Sequence, residues 1–166
     1  MKQEILDKLK NIKLFLFDLE GVLYNKDYYS NEDSLKNFLS EIEIACNRFK
    51  SYNVCFGIVT ARQHDKLIDD LNNIKNCTIL ATSIEKVSAV KELAEKLGLD
   101  FTNIFYMGDD ILDIPLLRMC GLSASPKNSK RDVKRVVNFT IDSGNAGEIF
   151  NEIYSLLEKI RTSIPI

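Results

Sequence analysis

The sequence predicts an α/β fold built on a mainly parallel sheet with helices on both faces. Three observations predict it. Apolar runs of four to seven residues recur along the chain, continuous rather than alternating, as in strands buried on both sides. Between them, apolar residues return at the i, i+3, i+4 spacing of amphipathic helices. The two patterns alternate, and parallel strands need crossover connections that lay helices against the sheet.

The elements follow in order. Ile5, Leu6 and Leu9, continuing to Ile12, share one helical face over residues 2–10. The run IKLFLF (12–17) reads as a buried strand that ends at Asp18 and Gly21. Residues 22–33, VLYNKDYYSNED, read as a loop or small hairpin with an aromatic cluster. Leu35, Phe38, Leu39, Ile42, Cys46 and Phe49 mark a helix from Ser34 to about Lys50, and VCFGIVT (54–60) is the second strand. Leu67, Ile68, Leu71 and Ile74 mark a helix before a short strand at TILA (78–81). Val87, Val90, Leu93, Ala94 and Leu97 mark the next helix, with Gly98 at its C-cap. NIFYMGD (103–109) is a strand that runs into a loop, and LDIPLLRMCG is a short helix with Pro115 in its tolerated first turn. LSAS, SKRDVKRVV, NFTI and Ala146–Ile160 complete the alternation as strand, helix, strand and helix.

Composition narrows the function. The 166 residues suit a single domain, 1–166, and a chain of this size buries roughly 70% of its unfolded surface without needing a staple. Lys and Arg number 22 against 24 Asp and Glu, a net charge of -2. That balance argues against sequence-independent nucleic-acid binding and against a polybasic membrane surface. No apolar run approaches the ~20 residues of a membrane span, and MKQEILDKLKNIK mixes charge with apolar residues unlike a secretory signal. The expectation is a soluble, cytoplasmic protein. Cys46, Cys55, Cys77 and Cys120 form no CxxC pair, so they are expected to be reduced, buried, small hydrophobes. His64 is expected at the surface near a helix start, and KRDVKR (130–135) as the solvated face of a short helix.

In open α/β sheets ligands bind beyond the carboxyl ends of the strands, so the polar residues there are the candidates. They are Asp18 with Glu20, Thr60 with Arg62, Lys86 at a helix start, and Asp109, Asp110 and Asp113 after IFYMG. Clustered carboxylates are costly unless a hard cation and a lysine compensate them, and Mg2+ prefers oxygen ligands. A carboxylate can attack phosphorus to form an aspartyl phosphate. Lys86 and the metal would then balance the charge on the transferring oxygens, with the Thr60 hydroxyl and loop amides as donors.

Four segments carry a resemblance: FDLEGV (17–22), IVTAR (58–62), Lys86 opening its helix, and GDDILD (108–113). In this order they resemble the four motifs of the haloacid dehalogenase superfamily over nearly the whole chain. The stretch from IEKVSAVKELAEKLGL to NIFYMGDDILDIPLLRMCGLSASP is similar to the capless phosphatases of 3-deoxy-D-manno-octulosonate 8-phosphate (Kdo 8-phosphate) and of nonulosonate 9-phosphates. The resemblance implies a Rossmann-like three-layer sandwich without a large cap domain. It also implies a Mg2+-dependent phosphomonoesterase acting on a small phosphorylated sugar acid, assembled as a homotetramer whose subunits close one another's sites. By the same resemblance Asp18 is the nucleophile and a metal ligand, with the Glu20 backbone carbonyl and Asp109 as the other protein ligands. Thr60 and Lys86 bind the phosphoryl group, Asp113 orients Lys86 or a metal-bound water, and Asp110 stands behind them.

The chain departs from the pattern at Glu20, where the family places an aspartate as acid and base. The extra methylene displaces the carboxyl by about one ångström, a shift that can cost about 100-fold in rate. Glu20 thus leaves two readings open: a working acid, or a catalytically impaired module serving in oligomerisation or partner binding. An FxxxDG-like segment is missing before the second strand, and SGNAGEIFNEI (143–153) echoes the subfamily's glycine-rich C-terminal segment only loosely. Arg62 either meets a substrate carboxylate bidentately or is a surface arginine at a helix start. YNKDYY (24–29) is either a substrate flap or a hairpin whose tyrosines pack on a neighbouring subunit. A phosphoacceptor receiver domain shares the aspartate, threonine and lysine, but its acidic pair and phosphorylated aspartate fall on strands in the other order.

Overall fold

A computed structural model describes residues 3–81, 85–142 and 144–162. Helix α1 (Gln3–Leu9) buries Ile5 and Leu9 and leads into strand β1 (Leu14–Asp18), buried at every position. Helix α2 (Glu32–Ser51) begins at a capping box in which Asn31 accepts from the Ser34 amide and the Ser34 side chain accepts from the Asn31 amide. Its Phe38, Ile42, Cys46 and Phe49 are buried, as their helical spacing predicts.

Strand β2 (Cys55–Val59), helix α3 (Lys66–Asn72) and strand β3 (Cys77–Leu80) follow. Asp65 caps α3 by accepting from the Ile68 amide. Helix α4 (Lys86–Leu97) ends at Gly98, whose φ of 65° is the left-handed conformation expected of a C-cap glycine. Strand β4 (Ile104–Met107) leads through a 3-10 turn (Ile111–Asp113) into helix α5 (Ile114–Met119), with Pro115 in its first turn. Strand β5 (Leu122–Pro126), helix α6 (Arg131–Lys134), strand β6 (Phe139–Ile141) and helix α7 (Ala146–Thr162) complete the chain.

The six strands form one sheet, ordered β3-β2-β1-β4-β5-β6, and every pair is parallel. Because successive strand residues face opposite ways, β1 sorts its side chains between two cores. Phe15 and Phe17 face α1, α2, α3 and α7, and Leu14 and Leu16 face α4, α5 and α6. The first core is aromatic. Phe17 alone lies within 6.1 Å, centroid to centroid, of Phe49, Phe56, Phe105 and Phe150. The second is aliphatic, with Val90, Ala94, Leu116, Leu117 and Val133 over the sheet. The result is the expected three-layer α/β sandwich without a large cap domain. No helix among the described residues is long and apolar enough to cross a membrane.

Several expectations need correction. Cys46 and Cys120 are buried, but Cys55 is exposed and Cys77 half-buried. Cys55 begins β2 at the open amino end of the sheet, so an apolar neighbourhood in sequence did not place it in the core. The 24–29 segment is not a regular hairpin: it consists of turns with one isolated bridge between Glu20 and Tyr24. Tyr24 and Tyr29 are buried, stacked on each other and packed on Phe38 of α2, and only Tyr28 is exposed. The tyrosines thus cover the protein's own helix. His64 is exposed beside Asp69, as expected. In KRDVKR, Lys130 does more than face solvent, because its ammonium lies 2.6 Å from Asp110. Met1, Lys2, Ile84 and Ser143, within segments quoted above, lie outside the described residues.

Candidate active site

The strand order reverses direction between β1 and β4, the switch point where a crevice opens beyond the carboxyl ends of a parallel sheet. Asp18 ends β1, Thr60 follows β2, Asp109 follows β4, and Lys86 is the first residue of α4. Asp18 pairs in register with Val59, and Phe17 with Met107, so the polar residues just beyond meet at one level. All seven residues singled out for catalysis, metal or substrate line one cleft of about 290 Å3: Asp18, Glu20, Thr60, Arg62, Lys86, Asp109 and Asp113. Asp110 lines it too. A larger groove of about 550 Å3 lies between α2 and α3, but its Leu35, Leu39 and Ile74 are accompanied by scattered surface charges rather than convergent groups.

At the cleft floor, Lys86 is a buried cation between two buried carboxylates. Its ammonium is 2.9 Å from Asp18 Oδ1 and 2.7 Å from Asp113 Oδ1. Burial opposes its charge, but Asp18 and Asp113 outweigh that and hold Lys86 above its ordinary pKa. Tyr106, fully buried in β4, donates to Asp113 Oδ1 at 2.6 Å. In sequence Tyr106 lies within the apolar strand run NIFYM. Its only signal was a hydroxyl-bearing side chain two residues before Gly108 in an otherwise apolar run.

Asp18, Asp109 and Asp113 each offer an oxygen within 4.8 Å of the others, a spacing at which they could hold a metal ion. Their hydrogen bonds divide them. Asp113 Oδ1 accepts from Lys86 and Tyr106, and Oδ2 from the Asp109 and Asp110 amides, which occupies all its lone pairs. Among the described residues Asp18 uses only Oδ1, for Lys86 and the Leu19 amide. Among the described residues no backbone N–H donates to the Glu20 carbonyl, although the flanking Leu19 and Tyr24 carbonyls both accept in this turn. Among the described residues the oxygens without a donor are Asp18 Oδ2, the Glu20 carbonyl and those of Asp109, and the three residues make a hard donor set that fits a small divalent cation. Burial, reinforced by the neighbouring Asp113 charge, raises Asp18 to about 7 and Asp109 to about 6.

Gly21 explains the glycine in FDLEGV. It adopts φ 81°, and a Cβ there would lie 2.2 Å from Asp109 Oδ2. Any side chain would push Asp109 out of the cluster. Gly108 plays the same part beside Asp113, whose carboxyl carbon would lie 2.6 Å from an added Cβ.

A family model described as haloacid dehalogenase-like hydrolase matches residues 4–153. This chain belongs to the haloacid dehalogenase-like hydrolases. It is 30% identical over 125 residues, 74% of its length, to the 3-deoxy-D-manno-octulosonate 8-phosphate phosphatase of Escherichia coli K12. It is 28% identical over 123 residues to the protein of the same name from Salmonella typhi. The aligned stretches span 66% and 65% of those relatives. Among solved structures, the Moraxella catarrhalis phosphatase of that name, crystallised with magnesium, phosphate and Kdo, superposes with a TM-score of 0.77 at 22% identity, covering 96% of this chain and 93% of that one. At that identity the likeness shows the shared fold.

At the outer wall of the cleft, the Thr60 hydroxyl oxygen accepts from the Arg62 amide at 3.0 Å. Its hydrogen is therefore left to donate elsewhere. The Arg62 guanidinium reaches Glu20 through Nη1 and Asp65 through Nε and Nη2, at 2.8 and 2.6 Å, and lies 5.6 Å over the Tyr24 ring. Hydrogen bonding to Asp65 raises Arg62 further and holds Asp65 below the usual carboxylate range. Lys130 likewise lowers Asp110.

Proposed function

We propose that this chain is a magnesium-dependent phosphomonoesterase working through an aspartyl phosphate on Asp18. One observation carries the reading: a buried carboxylate, Asp18, keeps one oxygen free beside a buried lysine and Asp109 at the floor of a solvent-reached cleft.

The chemistry follows from the residues. The Asp18 carboxylate attacks phosphorus through one of its oxygens and forms a new O–P bond. The ester P–O bond breaks, its electron pair goes to the alcohol oxygen, and the Glu20 carboxyl supplies the proton. Glu20 then takes a proton from water as that water attacks phosphorus, which releases phosphate and restores Asp18. Lys86 balances charge on the transferring oxygens, and the Thr60 hydroxyl donates to one of them. Asp113, its lone pairs occupied, positions Lys86 and the loop amides of Asp109 and Asp110. Magnesium held by Asp18, the Glu20 carbonyl and Asp109 would add positive charge at the phosphoryl oxygens.

The resemblance to Kdo 8-phosphate phosphatases makes a small phosphorylated sugar acid, Kdo 8-phosphate or a nonulosonate 9-phosphate, the proposed substrate class. A cytoplasmic homotetramer of single-domain subunits belongs to the same proposal, which static light scattering would check.

The test is phosphate release from Kdo 8-phosphate, other sugar phosphates and an aryl phosphate, with and without magnesium. Native protein, Asp18→Asn and Glu20→Asp are compared. Magnesium-dependent turnover that disappears in Asp18→Asn is the expected result. Inert native protein alongside an active Glu20→Asp variant would mean that the site binds without turning over.

A further inference from the structure

Glu20 differs in one respect from every other carboxylate in the cleft: its partner is a guanidinium that is itself tied down. Arg62 is gripped by Asp65 through Nε and Nη2. Asp65 in turn is fixed as the N-cap of α3 by the Ile68 amide at 3.1 Å. Tyr24, buried on Phe38, lies beneath the guanidinium. The Arg62 amide is bonded to Thr60, so main chain and side chain of one residue are both fixed at the cleft wall. The remaining contact, from Nη1, goes to Glu20 Oε1. Among the described residues Oε2 accepts no hydrogen bond. Glu20 is the freer partner, with its side chain 48% exposed against 28% for Arg62.

Resting on the phosphatase reading, we propose that Arg62 is a positioning residue for Glu20. The anchored guanidinium holds Oε1 so that the free Oε2 is presented to the ester oxygen leaving phosphorus. This accounts for glutamate at position 20: an anchor set out at the cleft wall by Asp65 and Tyr24 needs the longer side chain to reach it. It also separates Arg62 from the substrate's own anionic groups, since its fork is largely engaged by two protein carboxylates.

A positioned acid matters in proportion to how badly the leaving oxygen needs a proton. The measurement is therefore kcat/KM for an alkyl phosphate, glycerol 2-phosphate, divided by kcat/KM for p-nitrophenyl phosphate. The aryl oxide leaves without help, and kcat/KM excludes the later hydrolysis of the aspartyl phosphate. Arg62→Ala is expected to lower this ratio by about tenfold or more, within the range that a general acid contributes. In a Glu20→Gln background, where no acid remains to be positioned, Arg62→Ala should leave the already lowered ratio unchanged. Arg62→Lys keeps the charge but not the two-sided fork, so it should recover only part of the ratio. It also carries the test should Arg62→Ala not fold.

Equal losses on both esters would overturn the inference, as would an unchanged drop in the Glu20→Gln background. A rise in KM confined to Kdo 8-phosphate would also overturn it, and would make Arg62 a binder of the substrate carboxylate. Hydrolysis of p-nitrophenyl phosphate that requires Asp18, with a ratio indifferent to Arg62, sinks this inference alone. No Asp18-dependent hydrolysis of either ester sinks the phosphatase reading beneath it.

Discussion

Two constellations in this cleft have the same ingredients, one cation between two carboxylates, and opposite surroundings. At the floor, Lys86 sits between Asp18 and Asp113, all three less than 10% exposed. At the wall, Arg62 sits between Glu20 and Asp65, all three partly exposed. In the interior, charges are weakly screened and costly to leave unpaired, so the floor cluster ties protonation, stability and metal affinity together. At the wall, water screens the charges, and the pairs contribute geometry more than energy. The comparison separates what each set can be asked to do: the floor holds charge, and the wall holds position.

The sharpest way to break this contrast is to remove the floor cation. Lys86→Met leaves Asp18 and Asp113 buried without their counter-charge, and should cost about 3–5 kcal/mol in urea unfolding at pH 8. The cost should shrink on acidification as Asp18, already raised to about 7, becomes protonated. A cost below about 1 kcal/mol would mean that water reaches the floor and that the two sites are alike.

Next comes the carboxylate with no lysine contact. Asp109 is raised from 3.8 to about 6, so the folded protein binds that proton more tightly than the unfolded chain. Its contribution to stability is therefore present below about pH 4 and lost as the pH rises through about 6. Asp109→Asn should accordingly stabilise the metal-free protein by on the order of 2 kcal/mol at pH 8, less than the full shift because water partly screens the half-buried carboxyl, and by little at pH 4, as read by denaturation in EDTA. Added magnesium should stabilise the native protein and leave the variant behind. Stabilisation by Asp109→Asn that is equal at both pH values would mean that charge repulsion is not its source.

Tyr106→Phe removes one buried donor but leaves Asp113 Oδ1 its lysine, and should cost about 1 kcal/mol. Smallest of all, Arg62→Ala should change stability by less than about 1 kcal/mol. A large loss from Arg62→Ala would show that the wall carries structural energy as well as position.

How far the site could be read in advance follows the same division. Asp18, Thr60, Lys86, Asp109 and Asp113 were legible because each sits at the end of an apolar strand or the start of a helix. Period and position alone find such residues. Asp65 and Tyr106 were not. Asp65 lies three residues beyond Arg62 in a turn that no periodicity describes, and Tyr106 is hidden within an apolar run. Their roles depend on which atom meets which, not on which element carries them. Cys55 failed for the converse reason: an apolar neighbourhood in sequence says nothing about whether a strand end is covered.

By itself the sequence determined the alternation of strands and helices, the sheet's parallel character and the family motifs at the strand ends. These rest on local chain properties: apolar period, capping residues and glycine at a positive φ. Only the tertiary structure decided that all four lone pairs of Asp113 are occupied while, among the described residues, nothing donates to Asp18 Oδ2. It alone also decided that Arg62 joins Glu20 to Asp65 across 42 residues of sequence on one side and 3 on the other. Hydrogen-bond saturation and burial are properties of a point in space, set by everything the fold brings to it, and no stretch of chain encodes them alone.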